Sequence, residues 1–136
     1  MLKKLSLTLV ALAFSASSFA ELTVIVNPSN ASKIDNKQVQ RIFLGKDKKF
    51  PDGSEAIPVN LTQDNANRAI FDESLLERSS SQVSAYWAKL VFTGKGIPPK
   101  EVSTDADVIA LVSANPNVIG YVDSSSVNDS VKIVSQ

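Results

Sequence analysis

The sequence predicts an α/β fold: a single three-layer domain with a mixed, mainly parallel β-sheet. Short apolar runs rich in Val and Ile alternate along the chain with segments of helical apolar spacing. The 136 residues are 43% hydrophobic and 21% charged, which is the balance of an ordinary globular domain. No internal repeat or long linker divides the chain. Helical connections between successive strands are typical of βαβ units, so they favour this architecture.

The first half of the chain predicts two strands and one helix. Residues 22–26 form a β-branched run that a turn cluster closes, which is typical of a buried strand. Asp35 can cap a helix that runs to Phe43, and Gly45 follows it as a left-handed stop. The charged, turn-rich loop 46–55 then leads to a second strand at 57–61, with Pro58 at its leading edge.

The second half predicts three helices and two more strands. A helix opens at Thr62-Gln63-Asp64, a second starts at Ser80 or Ser81 and ends near Phe92, and a third covers 105–114 after a cap at Ser103 or Thr104. Strands are predicted at 118–122 and 131–134, and Gly120 marks a close backbone approach within the first of these. The predicted apolar helix positions are Ala69, Ile70, Phe71, Leu75, Leu76, Val83, Tyr86, Trp87, Leu90, Val91, Val108, Ile109, Leu111 and Val112. We expect Tyr86 and Trp87 to pack in the core, with ligand stacking as the alternative.

Composition removes several classes of function. The sequence has no Cys and no His, which excludes thiol nucleophiles, Cys/His zinc sites and Ser-His-Asp triads. Lys and Arg together number 14, as do Asp and Glu, so nothing indicates a nucleic-acid partner. No nucleophile–base pair can be assembled from the remaining side chains. We therefore expect a protein that is not an enzyme, with no cofactor, no metal and no catalytic residue.

The first twenty residues have the pattern of a cleavable signal peptide. Two lysines precede the apolar run 5–14, and the segment ends in the small-residue pattern Ser18-Phe19-Ala20. The alternative is an uncleaved anchor, but the run is shorter than the roughly 20 residues that span a bilayer. Cleavage after Ala20 leaves a single domain at 21–136 with 12 basic and 14 acidic residues, a formal charge of −2. We expect a periplasmic location, with no membrane insertion after cleavage.

An ordered set of motifs resembles a known family. In chain order they are Val39-Gln40-Arg41-Ile42-Phe43-Leu44-Gly45-Lys46, Phe50-Pro51-Asp52-Gly53, Tyr86-Trp87, Phe92-Thr93-Gly94-Lys95-Gly96 and Asn115-Pro116-Asn117-Val118-Ile119-Gly120-Tyr121-Val122. This set is similar to the periplasmic substrate-binding proteins of phosphate ABC transporters. The resemblance implies the topology of one lobe of a type II periplasmic binding protein. Those proteins hold their anion between two lobes and are roughly twice this length, so we expect a single lobe here.

The phosphate-holding turn of that family differs from the corresponding turn here. The family reads approximately R-x-D-G-S-G-T between a strand and a helix, where hydroxyls and helix N–H groups hold the anion. With Phe71 as the shared helix aromatic, Leu61 stands at the arginine position and Gln63 at the aspartate, while residues 65–67 replace Ser-Gly-Thr. The family's phosphate ligands are therefore not carried over to these positions.

The turn nevertheless carries polar groups that can hold a solute. Hydroxyl, amide, carboxylate and guanidinium groups surround the predicted helix N-terminus, whose free N–H groups carry partial positive charge. Arg68 is close enough in sequence to reach the same mouth. The candidate ligand residues are Thr62, Gln63, Asp64, Asn65, Asn67 and Arg68. The alternative is that Asp64 only caps the helix and the amides are solvated turn residues.

Two functions follow from these observations. The first is a periplasmic solute-binding protein that resembles the phosphate-binding component of an ABC transporter and holds a small anion, such as phosphate, or another polar solute. The second is a periplasmic interaction or sensory adaptor module that no longer binds phosphate. In that case the former cleft face contacts an envelope protein or a second copy of the chain.

Overall fold

A computed structural model describes residues 21–134. In chain order the elements are β1 (Leu22–Val26), α1 (Asn36–Phe43), β2 (Ile57–Leu61), α2 (Ala66–Ser74), α3 (Ser80–Phe92), β3 (Lys100–Val102), α4 (Asp105–Ala114), β4 (Val118–Asp123), a 3₁₀ turn (Ser124–Ser126) and β5 (Lys132–Ile133). The predicted signal peptide lies outside the described residues. Across residues 21–134, none of the helices has both the length and the apolar character needed to cross a bilayer.

The strands form one mixed sheet in the order β3-β2-β4-β1-β5. β2 runs parallel to β3 and β4, whereas β1 runs antiparallel to β4 and β5. This confirms the predicted mixed α/β sheet. The sequence predicted no strand at β3. Its three residues are exposed or half-buried at the sheet edge, so they carry no apolar run.

Helices cover both faces of the sheet, and two neighbouring residues of β4 show how. Gly120 faces α4, where an added Cβ would lie 2.5 Å from Val108 Cγ1, so the predicted close approach is confirmed. Tyr121 faces the opposite side, where its ring stacks on Phe71 of α2 with centroids 3.7 Å apart. Phe43 of α1 packs edge-on against Phe71 at 4.8 Å. The result is the predicted three-layer domain.

Helix α2 departs from the predicted pattern. It begins at Ala66 with Asn65 as its N-cap, so the assignment of Asp64 as the cap was wrong. Ala69 and Ile70 are exposed, and the buried positions are Phe71 with two charged residues, Arg68 and Asp72. An ion pair between these two side chains allows charged groups to occupy a core-facing stripe that apolar spacing alone would not identify.

The remaining helices agree better with their patterns. The cap of α1 at Asp35 is confirmed, and α3 starts at Ser80 behind a Ser79 cap. Val108 and Val112 of α4 are buried as predicted, while Ile109 and Leu111 are only partly buried. In α3, Val83 and Trp87 are buried, but Val91 is 52% exposed. The C-terminal turn of α3 therefore extends beyond the core that covers its first turns.

Candidate functional site

The turn after β2 is built largely from its own hydrogen bonds. The backbone N–H of Thr62 donates to Val102 O at 3.0 Å, which joins the turn to β3. The Thr62 hydroxyl donates to the Asp64 carboxylate at 2.5 Å. Gln63 reaches across to α3, where its side-chain amide donates to Ser84 Oγ at 2.5 Å. The side chains of Thr62 and Asp64 are therefore hydrogen-bonded to each other, whereas that of Gln63 is bonded to α3.

The two asparagines of the turn have different roles. Asn65 Oδ1 accepts the N–H of Asn67 at 2.9 Å and so caps α2. Its Nδ2 donates to the Ser103 carbonyl at 3.2 Å. The side chain of Asn67 makes no hydrogen bond to any residue in the range 21–134 and is half-buried. Asn67 is therefore the amide of this pair whose side chain is available to a ligand.

Arg68 lies inside the domain and not at the open mouth of the turn. Only 3% of it is exposed, and its Nε donates to both carboxylate oxygens of Asp72 at 3.0 and 3.2 Å. Its Nη1 donates to Leu61 O at 2.9 Å and to Glu101 Oε1 at 3.2 Å. The guanidinium therefore ties α2 to the ends of β2 and β3. Its Nη2 has no acceptor among residues 21–134.

A buried polar network extends from this arginine into the sheet. Asp72 is fully buried and accepts the Ser80 hydroxyl at 2.8 Å, and burial raises the pKa of this carboxyl. The Tyr121 hydroxyl donates to Asn60 Oδ1 at 2.7 Å and accepts the N–H of Leu61 at 3.2 Å. Burial also raises the pKa of Tyr121, so its hydroxyl stays protonated and keeps its role as a donor.

An open cleft of about 510 Å³ lies beside this network, between α3 and the β2–β3 edge. Its polar lining consists of Asn60, Gln63, Arg68, Ser84 and Glu101. Its apolar lining consists of Trp87, Ala88, Val91, Phe92, Pro98 and Pro99. Of the six predicted ligand residues, only Gln63 and Arg68 line it.

Several cleft residues were not identified from the sequence. Asn60 is 2% exposed within a strand that is otherwise apolar at its end, and a buried amide there is the one signal that could have pointed to it. Glu101 stands on the unpredicted strand β3. Trp87 is buried as predicted, yet its ring also borders the cleft, and its indole Nε1 has no acceptor within residues 21–134.

Two solved structures illustrate what this architecture is similar to. An ABC-type phosphate transport receptor from Vibrio cholerae superposes with a TM-score of 0.65 at 20% identity, over 83% of this chain and 44% of its own. PstS from Borrelia burgdorferi gives a TM-score of 0.61 at 16% identity, over 84% of this chain and 46% of its own. The fold is theirs. This confirms the architecture that the motifs implied.

The match covers only part of each solved protein. This chain spans less than half the length of either solved protein, which agrees with the predicted correspondence to one lobe of a two-lobed fold. At this level of identity the likeness concerns the fold alone. No protein-family model and no curated protein sequence matches the chain.

Proposed function

We propose that this chain is an exported, periplasmic solute-binding protein that holds a small anion or polar solute where β2 meets α2. The residues proposed to contact or frame the solute are Thr62, Gln63, Asp64, Asn65, Asn67 and Arg68. The observation that carries the proposal is the cleft beside this turn, where the buried side chains of Asn60 and Arg68 each keep an unused donor group. Donors held in place before binding favour ligand capture, because they lose little conformational freedom on binding.

Two supporting arguments come from the comparison and from the N-terminal sequence. The V. cholerae protein that shares this fold is an ABC-type phosphate transport receptor. The signal-like pattern of residues 1–20 supports export. The proposed function is binding alone, with no catalytic residue.

Isothermal titration of residues 21–136 with phosphate, sulfate, organic anions and uncharged polar solutes tests this function. We expect saturable heat with at least one of them, and a loss of that heat in Gln63→Ala. Ser130→Ala is the matched control, because Ser130 is an exposed polar residue beside β5 at the opposite sheet edge. The absence of heat with every solute at millimolar concentration would remove the binding function and leave the fold unaffected.

A second candidate function is an interaction module, and one observation favours it. Phe92 is 93% exposed and Ile97 is 89% exposed, so an apolar surface surrounds the C-terminal end of α3. Exposed apolar surface of this kind is typical of partner contacts. Sedimentation of the purified domain and capture from envelope extract test this alternative. A strict monomer that retains no partner would count against it.

A further inference from the structure

The cleft is lined by two fixed donor groups that have no acceptor among residues 21–134. Asn60 uses its Oδ1 to accept the Tyr121 hydroxyl, and its Nδ2 makes no hydrogen bond within residues 21–134. Arg68 uses Nε and Nη1 in the network, which leaves Nη2. Both side chains are at least 97% buried and both line the cleft. Neither donor atom is among the enclosed, unpartnered side-chain atoms of residues 21–134, so both are open to the cleft, and a ligand oxygen can take the place of water as their acceptor.

The charges around these donors disfavour an anion. One guanidinium stands between two carboxylates, those of Asp72 and Glu101, and no other basic side chain lines the cleft. A phosphate or carboxylate that reached Arg68 would therefore approach Glu101, whose Oε2 has no donor among the described residues. Like charges at a few ångströms repel, although the 42% exposure of Glu101 lets solvent weaken that repulsion. The same free oxygen is instead suited to accept an N–H group.

More than half of the residues that line the cleft are apolar. Trp87 and Val91 of α3, with Pro98 and Pro99 from the segment before β3, supply apolar walls, and the exposed Phe92 borders them. Gln63 and Ser84, two of the polar residues that line the cleft, already bond to each other. A polyhydroxyl ligand would leave most of its hydroxyls against these walls without partners, which is costly. The walls are suited to a single aliphatic or aromatic substituent.

We propose that the cleft binds an uncharged ligand that carries an amide group beside an apolar substituent. The amide carbonyl accepts from Asn60 Nδ2 and Arg68 Nη2, and the amide N–H donates to Glu101. The substituent packs against Trp87 and Phe92. This inference rests on the proposed solute-binding function and specifies the class of solute.

Trp87 is the single tryptophan of the chain and lines the cleft, so its fluorescence should change when a ligand binds there, and the variants below assign that change to the cleft. The probes are N-acetyl-leucinamide, its carboxylate analogue N-acetyl-leucine, inorganic phosphate and methyl glucoside. We expect saturable binding of the amide, and binding of the carboxylate analogue weaker by roughly tenfold or more because of Glu101. Glu101→Gln removes the charge of this exposed side chain, so it should remove most of the preference for the amide over the carboxylate analogue. Phe92→Ala should weaken binding of the amide several-fold. The control is Ile133→Ala, at an exposed aliphatic residue of β5, which should leave binding unchanged.

The outcomes distinguish a failure of the inferred solute class from a failure of the proposed solute-binding function. If phosphate, N-acetyl-leucine or methyl glucoside binds more tightly than the amide, the inferred solute class is wrong while the solute-binding function stands. If amide binding is unaffected by both Glu101→Gln and Phe92→Ala, the assignment to this cleft is wrong. If none of the four probes binds, this inference is overturned, and the wider solute screen above decides the function separately.

Discussion

Replacing Arg68 by Met should destabilise the domain far more than a surface substitution of the same kind. Arg68 and Asp72 are 3% and 0% exposed, and Met removes the charge while keeping a long apolar stem. The buried Asp72 carboxylate is then left with the Ser80 hydroxyl as its hydrogen-bond donor. Breaking a buried pair by removing one partner costs about 3–5 kcal/mol. We expect a loss of about 3 kcal/mol at pH 7, since the Ser80 bond remains.

The control is Arg41→Met. Arg41 donates to Asp47 at 3.0 Å through both Nε and Nη2, so the pair has similar geometry, but its side chains are 44% and 36% exposed. Exposed pairs contribute about 0–1 kcal/mol. Urea unfolding followed by Trp87 fluorescence measures both variants, with equal slopes as the check that both unfold in the same way. Equal losses in the two variants would refute the reasoning.

Arg68→Met should also change how the stability of the domain depends on pH. Burial already raises the pKa of Asp72, and loss of the Arg68 charge should raise it further. A carboxyl whose folded-state pKa is raised binds its proton more tightly in the folded protein, so its contribution to stability is lost as pH rises through that pKa. The stability deficit of Arg68→Met should therefore shrink as pH falls from 7 toward the ordinary aspartate range. A deficit that grows on acidification would contradict this.

Two further predictions concern the wild-type network and the sheet. In a carbon-detected NMR titration of the wild type, the Asp72 carboxyl should titrate above the ordinary aspartate pKa, and a midpoint below that value would be inconsistent with burial as the dominant influence. Gly120→Ala places a Cβ 2.5 Å from Val108 Cγ1, so it should cost about 1–2 kcal/mol of stability after a small gain from the less flexible unfolded chain. In the Val108→Ala background that cost should largely disappear, and an equal cost in both backgrounds in urea unfolding would contradict the packing argument.

The sequence predicted the parts of the fold that depend on local pattern. Apart from Thr23 and Gly120, residues 22–26 and 118–122 are hydrophobic, and they form neighbouring strands that are largely buried. The cap at Asp35 was predicted, and of the two candidates Ser103 and Thr104 the second caps α4; both side chains accept a backbone N–H three residues further on. These signals lie within a few positions of one another, so a single sequence is enough to identify them.

The candidate site was predicted only in part, because it depends on contacts that are distant in sequence. Arg68 meets Glu101, 33 residues away, through a strand with no apolar run. Its burial depends on the ion pair with Asp72. These two charged residues lie on the buried face of α2, where Ala69 and Ile70 were expected. Gln63 and Arg68 were identified from their position near the turn. Asn60 and Glu101 join them only when the sheet is assembled.

The most direct measurement is the ¹H–¹⁵N spectrum of the side-chain amide of Asn60 during titration with N-acetyl-leucinamide. The Asn60 Nδ2 protons have no acceptor within residues 21–134, so a carbonyl that reaches them should shift their resonances strongly. We predict a saturable shift that follows the Trp87 fluorescence change and is absent with inorganic phosphate. Asn60 resonances that stay fixed while the amide saturates the protein would contradict the account.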